Sequence, residues 1–307
     1  MDRATQVLER MKGPVVPINV CFNADGTINY DAVGMYIDWL CEENTPVLLL
    51  TYGSSEFASI SDEELWKLTE TVASAAAGRS LCIASTSYWK PSKTCDFLKH
   101  ADTVGVDAVK VQINPWLPKT REALVRYFDL IEGASDIPLL LWGVAPPPFP
   151  VEVVAELAQR PNIVGMKNDA HPFYDYYDLI RATRNEGFGV VSGGQMRNFI
   201  FGHQIGSPAY LCPIAPFRPD IALQFYQLLV DGNYTQAWEM VYRYEEPWLQ
   251  WAIDKNWLGV MKSAVQLQGL YPNNLLGPPN PAPSPSLLTE VQEKLEELFG
   301  ASRTRPT

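Results

Sequence analysis

Short apolar segments and amphipathic segments alternate eight times within the first 230 residues, and this alternation constrains the fold more than any other feature of the sequence. The apolar segments are short and end at turn-forming residues, which is typical of strands that are buried on both faces. Because each one precedes a stretch with helical periodicity, the pattern predicts a parallel (β/α)8 TIM barrel. The alternative is an open doubly wound sheet, but no G-x-G-x-x-G motif follows the first strand. The predicted strands cover residues 15–20, 46–51, 81–84, 108–113, 138–142, 163–167, 188–192 and 209–212.

The chain has 307 residues, whereas a single barrel commonly needs about 250. We therefore predict a barrel over residues 1–230 and a C-terminal helical extension over residues 231–307. The extension carries large apolar side chains, among them Trp238, Trp248 and Trp251. Such residues predict packing against the barrel or against another subunit, so we expect a homodimer or a homotetramer.

Charge and cysteine usage exclude several classes of protein. Acidic residues number 35 and basic residues 24, and the resulting net charge of −11 argues against a nucleic acid or an anionic membrane surface as a partner. No apolar run approaches the roughly 18 residues that a membrane span needs. Five scattered cysteines without a C-x-x-C pair predict a reduced, cytoplasmic protein. Three dispersed histidines predict no metal site, and we expect no cofactor.

The sixth predicted strand ends on a lysine, Lys167, after the apolar residues Ile163, Val164 and Met166. A lysine is rarely buried without a partner or a purpose, because its ammonium loses hydration there. The side chain therefore either reaches solvent at the strand end or has a lowered pKa and acts as an amine nucleophile. The strand pattern alone leaves both possibilities open.

Four motifs in a fixed order resemble those of the dihydrodipicolinate synthase and N-acetylneuraminate lyase family of class I aldolases. Residues 22–26 (FNADG) are similar to the family's F-x-x-D-G, and residues 52–57 (YGSSEF) resemble G-T-T-G-E-F. Residues 136–142 (DIPLLLW) resemble the strand that ends in the family's catalytic tyrosine. Residues 162–167 (NIVGMK) are similar to the segment whose lysine forms a Schiff base with a 2-oxo acid.

The resemblance implies a class I lyase, an aldolase or a dehydratase, in which Lys167 forms an imine with a 2-oxo acid such as pyruvate. It also implies that the loop after the second strand binds the substrate carboxylate, through Ser54 and Ser55 in this chain. The alternative for these two serines is an ordinary turn.

The departures from the family pattern concern its proton relay. The catalytic tyrosine is matched by Trp142, whose indole N–H is not an acid-base group. A threonine of the G-T-T-G-E motif is matched by Gly53, and a tyrosine pair by Trp116 and Leu117. An arginine that the synthases use is replaced within residues 145–148. Dihydrodipicolinate synthesis is therefore not the predicted reaction.

Other residues are candidates for the missing proton transfer. Tyr52, Tyr88 and Tyr210 carry hydroxyls near strand ends, with core packing as the alternative. His171 and Asp169 follow Lys167 in the same loop, and a histidine titrates near neutral pH.

Lys110 and Gln112 share one face of the fourth strand, which would point into the barrel. We interpret Lys110 as structural, although it is the one rival to Lys167 as the nucleophile.

Aromatic residues follow several predicted strands, and together they would surround the mouth of the barrel. Such a rim favours a bulky or aromatic aldehyde as the second substrate, with a lid over an empty site as the alternative. These residues are Trp89, Trp116, Trp142 and Tyr210, of which Trp142 and Tyr210 are predicted to bind substrate. The rival hypothesis for the whole chain is a binding or regulatory protein that has kept the barrel and lost the relay. A lyase whose acid-base work is done by substrate groups or water is a third possibility.

Overall fold

The computed structural model describes residues 1–142, 148–169 and 173–300. Eight parallel strands close into a barrel in which each strand pairs with the next and the last pairs with the first, which confirms the predicted TIM barrel. The strands are β1 (Gly13–Pro17), β2 (Val47–Leu49), β3 (Leu81–Ser85), β4 (Ala108–Gln112), β5 (Leu139–Trp142), β6 (Ile163–Asn168), β7 (Gly189–Ser192) and β8 (Ala209–Leu211). The first strand ends three residues earlier than predicted, at a proline that lacks a backbone N–H.

A helix follows each strand, as the alternation predicts. The helices of the barrel are α1 (Arg3–Arg10), α2 (Tyr30–Glu42), α3 (Asp62–Ala76), α4 (Pro91–Thr103), α5 (Arg121–Ile131), α6 (Val151–Leu157), α7 (Phe173–Thr183), α8 (Gln195–Gln204) and α9 (Pro219–Val230). Helix α3 begins with a capping box, in which Ser61 and Glu64 satisfy each other's backbone N–H. Helix α1 precedes the barrel, and its Val7 belongs with Met11 to the apolar cluster inside it.

The extension contains α10 (Tyr234–Met240), a π-helical turn (Val241–Glu245), α11 (Glu246–Ile253), α12 (Trp257–Leu267) and α13 (Leu287–Phe299). It is not helical throughout, because a proline-rich segment over residues 268–286 separates α12 from α13. The division of the chain at residue 230 stays a prediction. Within the described residues, no helix is long and apolar enough to cross a bilayer.

Side chains of the extension reach the mouth of the barrel. The hydroxyl of Tyr271 donates to the carbonyl of Asn19 (2.5 Å), and Asn273 donates to the carbonyl of Phe22 (3.2 Å). Lys262 and Glu56 form an ion pair in which each side chain is 1% exposed. These contacts hold the loops that follow β1 and β2.

A change of register between β5 and β6 determines where Lys167 points. Leu139 pairs with Ile163 but Leu140 pairs with Gly165, so β6 contains one additional residue at this position. Val164 lies in the cluster inside the barrel, whereas Met166, two residues later, lies in the outer cluster against the helices. Because alternate residues of a regular strand share a face, the bulge reverses the alternation and directs Lys167 inward.

Gly165 fits this bulge because it has no side chain. A Cβ at this position would lie 2.6 Å from the carbonyl oxygen of Gly189 on the neighbouring strand. The close approach of β6 to β7 therefore requires glycine.

Candidate active site

Lys167 ends β6 at the carboxyl-terminal face of the barrel, where the active sites of this fold lie. Its side chain is 6% exposed, and Nζ contacts Oδ1 of Asp169. Burial lowers the pKa of Lys167 from its ordinary 10.5 to about 7. A large share of the amine is therefore unprotonated at neutral pH and can attack a carbonyl carbon.

Asp169 connects this amine to the indole of Trp142. Its second carboxylate oxygen accepts a hydrogen bond from Trp142 Nε1. Trp142 ends β5 beside Lys167 and is 6% exposed. The indole thus orients the carboxylate, a role that does not require the acid-base chemistry that Trp142 lacks.

A second amine lies under the same indole ring. Lys110 is fully buried, and its Nζ lies 4.0 Å from the centre of the Trp142 ring, compared with 5.6 Å for Lys167 Nζ. Burial, and then the charge of Lys167, lowers the pKa of Lys110 well below its ordinary value. Lys110 Nζ lies 3.4 Å from both Thr51 Oγ1 and Gln112 Oε1.

Tyrosine rings continue the aromatic wall that Trp142 begins. The Tyr88 ring stacks on Trp142 at 6.4 Å, and the Tyr52 ring lies 4.8 Å from Tyr88. Burial raises the pKa of Tyr88 above its ordinary value. Tyr88 and Tyr52, two candidates for proton transfer, therefore lie on the side of the mouth nearest Trp142. Tyr88 contacts Trp142, and Tyr52 contacts Tyr88.

A cavity of about 390 Å³ opens beside Asp169. Its wall includes Gly193 and Gly194 after β7, Arg197 in the first turn of α8, and the ring of Trp238 from the extension. Glu245 of the π-helical turn accepts hydrogen bonds from the backbone N–H groups of Met196 (2.5 Å) and Arg197 (3.0 Å), so the extension fixes this end of α8. The cavity provides space for part of a substrate next to the carboxylate that contacts the amine.

The two predicted carboxylate-binding serines differ in their surroundings. Ser55 is buried, and its hydroxyl donates to the carbonyl of Ile18 (2.6 Å) and accepts from the N–H of Thr51 (3.1 Å). A hydroxyl has one hydrogen to donate, so a substrate carboxylate would have to displace the Ile18 carbonyl. Ser54 is half-buried in the same loop. Substrate binding by these serines stays a prediction.

The structure corrects the prediction for Tyr210. Its ring is fully buried on the outer side of β8, where it stacks on Phe199 at 4.6 Å. Its hydroxyl donates to the carbonyl of Ala222 (2.9 Å). Since Ala209 faces the barrel interior, the neighbouring Tyr210 must face the helices.

The other two predicted rim residues differ in their surroundings. The indole of Trp89 donates to Asp62 (2.7 Å) and its ring packs against Phe97 at 5.2 Å, so it joins α3 to α4. Trp116 is 92% exposed. Of the predicted rim, Trp142 remains at the mouth, together with the tyrosine wall.

Some predicted residues fall in segments that the structure does not describe. His171 lies outside the described residues, as do positions 145–147 of the segment that replaces the family's arginine. In the described part of the chain, no group of three or more His, Cys, Asp and Glu residues could hold a metal ion. The residue that sequence reasoning undervalued is Lys110, and the signal was its inward position on β4.

The sequence matches one protein family, and it is similar to several known proteins over most of its length. Residues 10–298 match the model of the dihydrodipicolinate synthetase family. An uncharacterized DapA-like lyase of Pyrococcus furiosus is 23% identical, with 93% of this chain and 97% of that protein covered. A probable 5-dehydro-4-deoxyglucarate dehydratase of Streptomyces avermitilis is 24% identical, with 96% and 92% covered.

A solved structure shares the fold. It is that of YagE from E. coli K12, a prophage protein of the dihydrodipicolinic acid synthase family in complex with pyruvate. It superimposes with a TM-score of 0.83 at 20% identity, with 94% of this chain and 98% of that chain covered.

Proposed function

The chain belongs to the dihydrodipicolinate synthetase family, and on that premise we propose that it is a class I lyase in which Lys167 forms a Schiff base with a 2-oxo acid such as pyruvate. The names of its relatives support a lyase in the broad sense. The observation that carries the specific proposal is the buried Lys167 amine, with its pKa lowered to about 7, beside Asp169 at the mouth of the barrel.

The proposed reaction begins with attack of the neutral Lys167 amine on the carbonyl carbon of the 2-oxo acid. The carbonyl oxygen takes up a proton, and after a second proton transfer it leaves as water, which gives an iminium ion. The iminium accepts the electron pair when a C–H bond at the adjacent carbon ionises, or when the next C–C bond breaks. Asp169 is the described carboxylate in contact with the reacting nitrogen, so we assign it proton transfer and stabilisation of the iminium charge.

The second substrate is proposed from the walls of the site. The rings of Tyr52, Tyr88 and Trp142 provide an apolar wall, which fits a bulky or aromatic aldehyde. Dihydrodipicolinate synthesis is not proposed, because Trp142 occupies the end of β5 and supplies no ionisable hydroxyl there.

Reduction with borohydride in the presence of pyruvate tests the proposal. An irreversible adduct on Lys167, located by peptide mass spectrometry, is the expected result. Lys167→Ala should form no adduct, whereas the control Lys255→Ala, which changes a surface lysine paired with Glu290, should react like the wild type. Absence of an adduct in the wild type with a panel of 2-oxo acids would refute the Schiff base.

One observation favours a second candidate function, that of a binding or regulatory protein. The contact with Asp169 stabilises the protonated form of Lys167, and a permanent ammonium would suit a binding or regulatory protein on the same fold. Saturable binding of 2-oxo acids without any reducible adduct would support this candidate. The predicted homo-oligomer is a separate matter that light scattering would decide.

A further inference from the structure

The two buried lysines at the mouth of the barrel differ in their described partners. Lys167 contacts the carboxylate of Asp169, but among the ion pairs of the described residues none includes Lys110. The described polar neighbours of Lys110 Nζ are uncharged, namely the hydroxyl of Thr51 and the amide oxygen of Gln112, each at 3.4 Å. The second amine is thus fully buried without a carboxylate partner among the described residues.

The neighbours of Lys110 are themselves fixed. The Gln112 side-chain amide donates to the carbonyl of Thr86, and the Gln112 backbone N–H donates to Thr86 Oγ1 (2.8 Å). Gln112 Oε1 is thereby aimed at the amine. Thr51 lies two residues after β2, at the start of the loop whose counterpart binds substrate in the resemblance described above. Lys110 Nζ is therefore held at the functional end of the barrel, although its backbone is in the middle of β4.

The indole of Trp142 relates the two amines. Nζ of Lys110 and Nζ of Lys167 lie 4.0 Å and 5.6 Å from the centre of this one ring. The two nitrogens therefore lie within about 10 Å of each other, a separation that a small 2-oxo acid bonded to Lys167 would span in part. In a 2-oxo acid, the atom that adjoins the reactive carbonyl is the carboxylate carbon.

We propose that Lys110 is the receptor for the substrate carboxylate and selects 2-oxo acids over neutral ketones. This inference rests on the proposed reaction at Lys167, whose substrate class it specifies. The incoming carboxylate supplies the ionic partner that Lys110 lacks among the described residues, and a charge-assisted hydrogen bond in a buried site is strong. Burial keeps the pKa of Lys110 low in the free protein, and the carboxylate would favour the protonated amine.

Lys110→Met tests the proposal, because methionine keeps most of the length of the side chain and removes its amine. The measurement is borohydride trapping at Lys167 over a range of concentrations of pyruvate and of its methyl ester. The wild type should trap pyruvate at lower concentrations than the ester. In the variant, the half-saturating pyruvate concentration should rise about ten- to a hundredfold, and that of the ester should change little.

Two results with these ligands would overturn the proposal. An unchanged preference for pyruvate would show that another group receives the carboxylate. An equal loss of maximal trapping rate with both ligands would show that Lys110 transfers protons instead. Lys110→Gln provides a second variant, and thermal unfolding should show that both variants are folded.

A binding measurement separates this proposal from the Schiff base. In Lys167→Ala protein no imine can form at residue 167, and once borohydride trapping shows no adduct elsewhere, calorimetry reports the non-covalent affinity for pyruvate. Adding Lys110→Met should weaken that affinity about tenfold or more. Equal affinities in the single and double variants would refute the role of Lys110, whether or not the wild type forms an adduct.

Discussion

The indole N–H of Trp142 donates a hydrogen bond to the carboxylate of Asp169, from the end of one strand to the residue just after the next. The other oxygen of the same carboxylate contacts Lys167. The tryptophan that the resemblance matches to the family's tyrosine is therefore connected to the candidate nucleophile, although it cannot exchange a proton with it.

Trp142→Phe should keep an aromatic ring at the end of β5 and remove the N–H group that binds Asp169. We expect the rate of pyruvate trapping at Lys167 to fall about tenfold, because a hydrogen bond to a charged group is lost. The measurement is the trapping rate at saturating pyruvate. Trp142→Tyr should not restore lyase activity, since Gly53 and Leu117 also depart from the family pattern. A Phe variant as fast as the wild type would show that the orientation of Asp169 is unimportant.

Imine formation should depend on pH through the ionisation of Lys167. The amine is reactive when neutral, and its pKa is lowered to about 7. The trapping rate should therefore rise from pH 5.5, reach half its maximum near pH 7 and level off above about pH 8. Stopped reactions in buffers of constant ionic strength would measure this profile. A rate that continues to rise toward pH 10 would indicate an ammonium with an ordinary pKa.

The same ionisation predicts a change in stability. Between pH 7 and 10.5 the unfolded chain binds a proton at Lys167 that the folded protein does not, so this residue makes stability rise with pH. Lys167→Met should thus be more stable than the wild type near pH 6, by on the order of a few kcal/mol, and the difference should shrink toward pH 10. Urea unfolding at several pH values would measure it. A difference that is independent of pH would contradict the buried amine.

Gly165→Ala should disturb the bulge in β6. The added Cβ would lie 2.6 Å from the Gly189 carbonyl oxygen, and overpacking of this kind costs about 1–3 kcal/mol. Trapping at Lys167 should fall as well, because the bulge would no longer hold the Lys167 side chain pointing into the barrel. Gly34→Ala in α2 is the matched control, since no atom lies within 4 Å of a Cβ there. That variant should be stabilised by up to about 1 kcal/mol.

Lys262→Met should leave the Glu56 carboxylate buried without its ionic partner. Both side chains are 1% exposed, and breaking a pair of this kind costs about 3–5 kcal/mol. The double variant with Glu56→Gln should recover part of that loss, because the buried charge is removed. Urea unfolding of the two single variants and the double variant would measure the coupling free energy. Additive losses would mean that the two residues act independently.

The sequence predicted the barrel because strand and helix patterns repeat along most of the chain, and short connections leave few ways to arrange them. It also identified Lys167 as the candidate nucleophile. It did not predict the bulge at Gly165, since a register change depends on how two strands meet in space. Without the bulge, simple alternation from Val164 would have directed Lys167 toward the helices.

The wrong predictions for residues at the mouth of the barrel have a different cause. Tyr210 belongs to β8 and Trp89 follows β3. Proximity in sequence to a strand end does not determine which face a side chain takes. For Tyr210, alternation from Ala209 would have corrected the prediction. The position of Gln112 beside Lys110 follows from their shared face of β4. The contact with Thr51 could not be inferred, because it joins segments that are distant in sequence.

The hydrogen bonds between the extension and the mouth of the barrel determine when the protein can become functional during its synthesis. Tyr271 and Asn273 hold the loop after β1, and Glu245 caps α8. A nascent chain that has completed all eight strands therefore still lacks the contacts that fix its entrance. Competence should therefore appear only when the last quarter of the polypeptide has emerged from the ribosome.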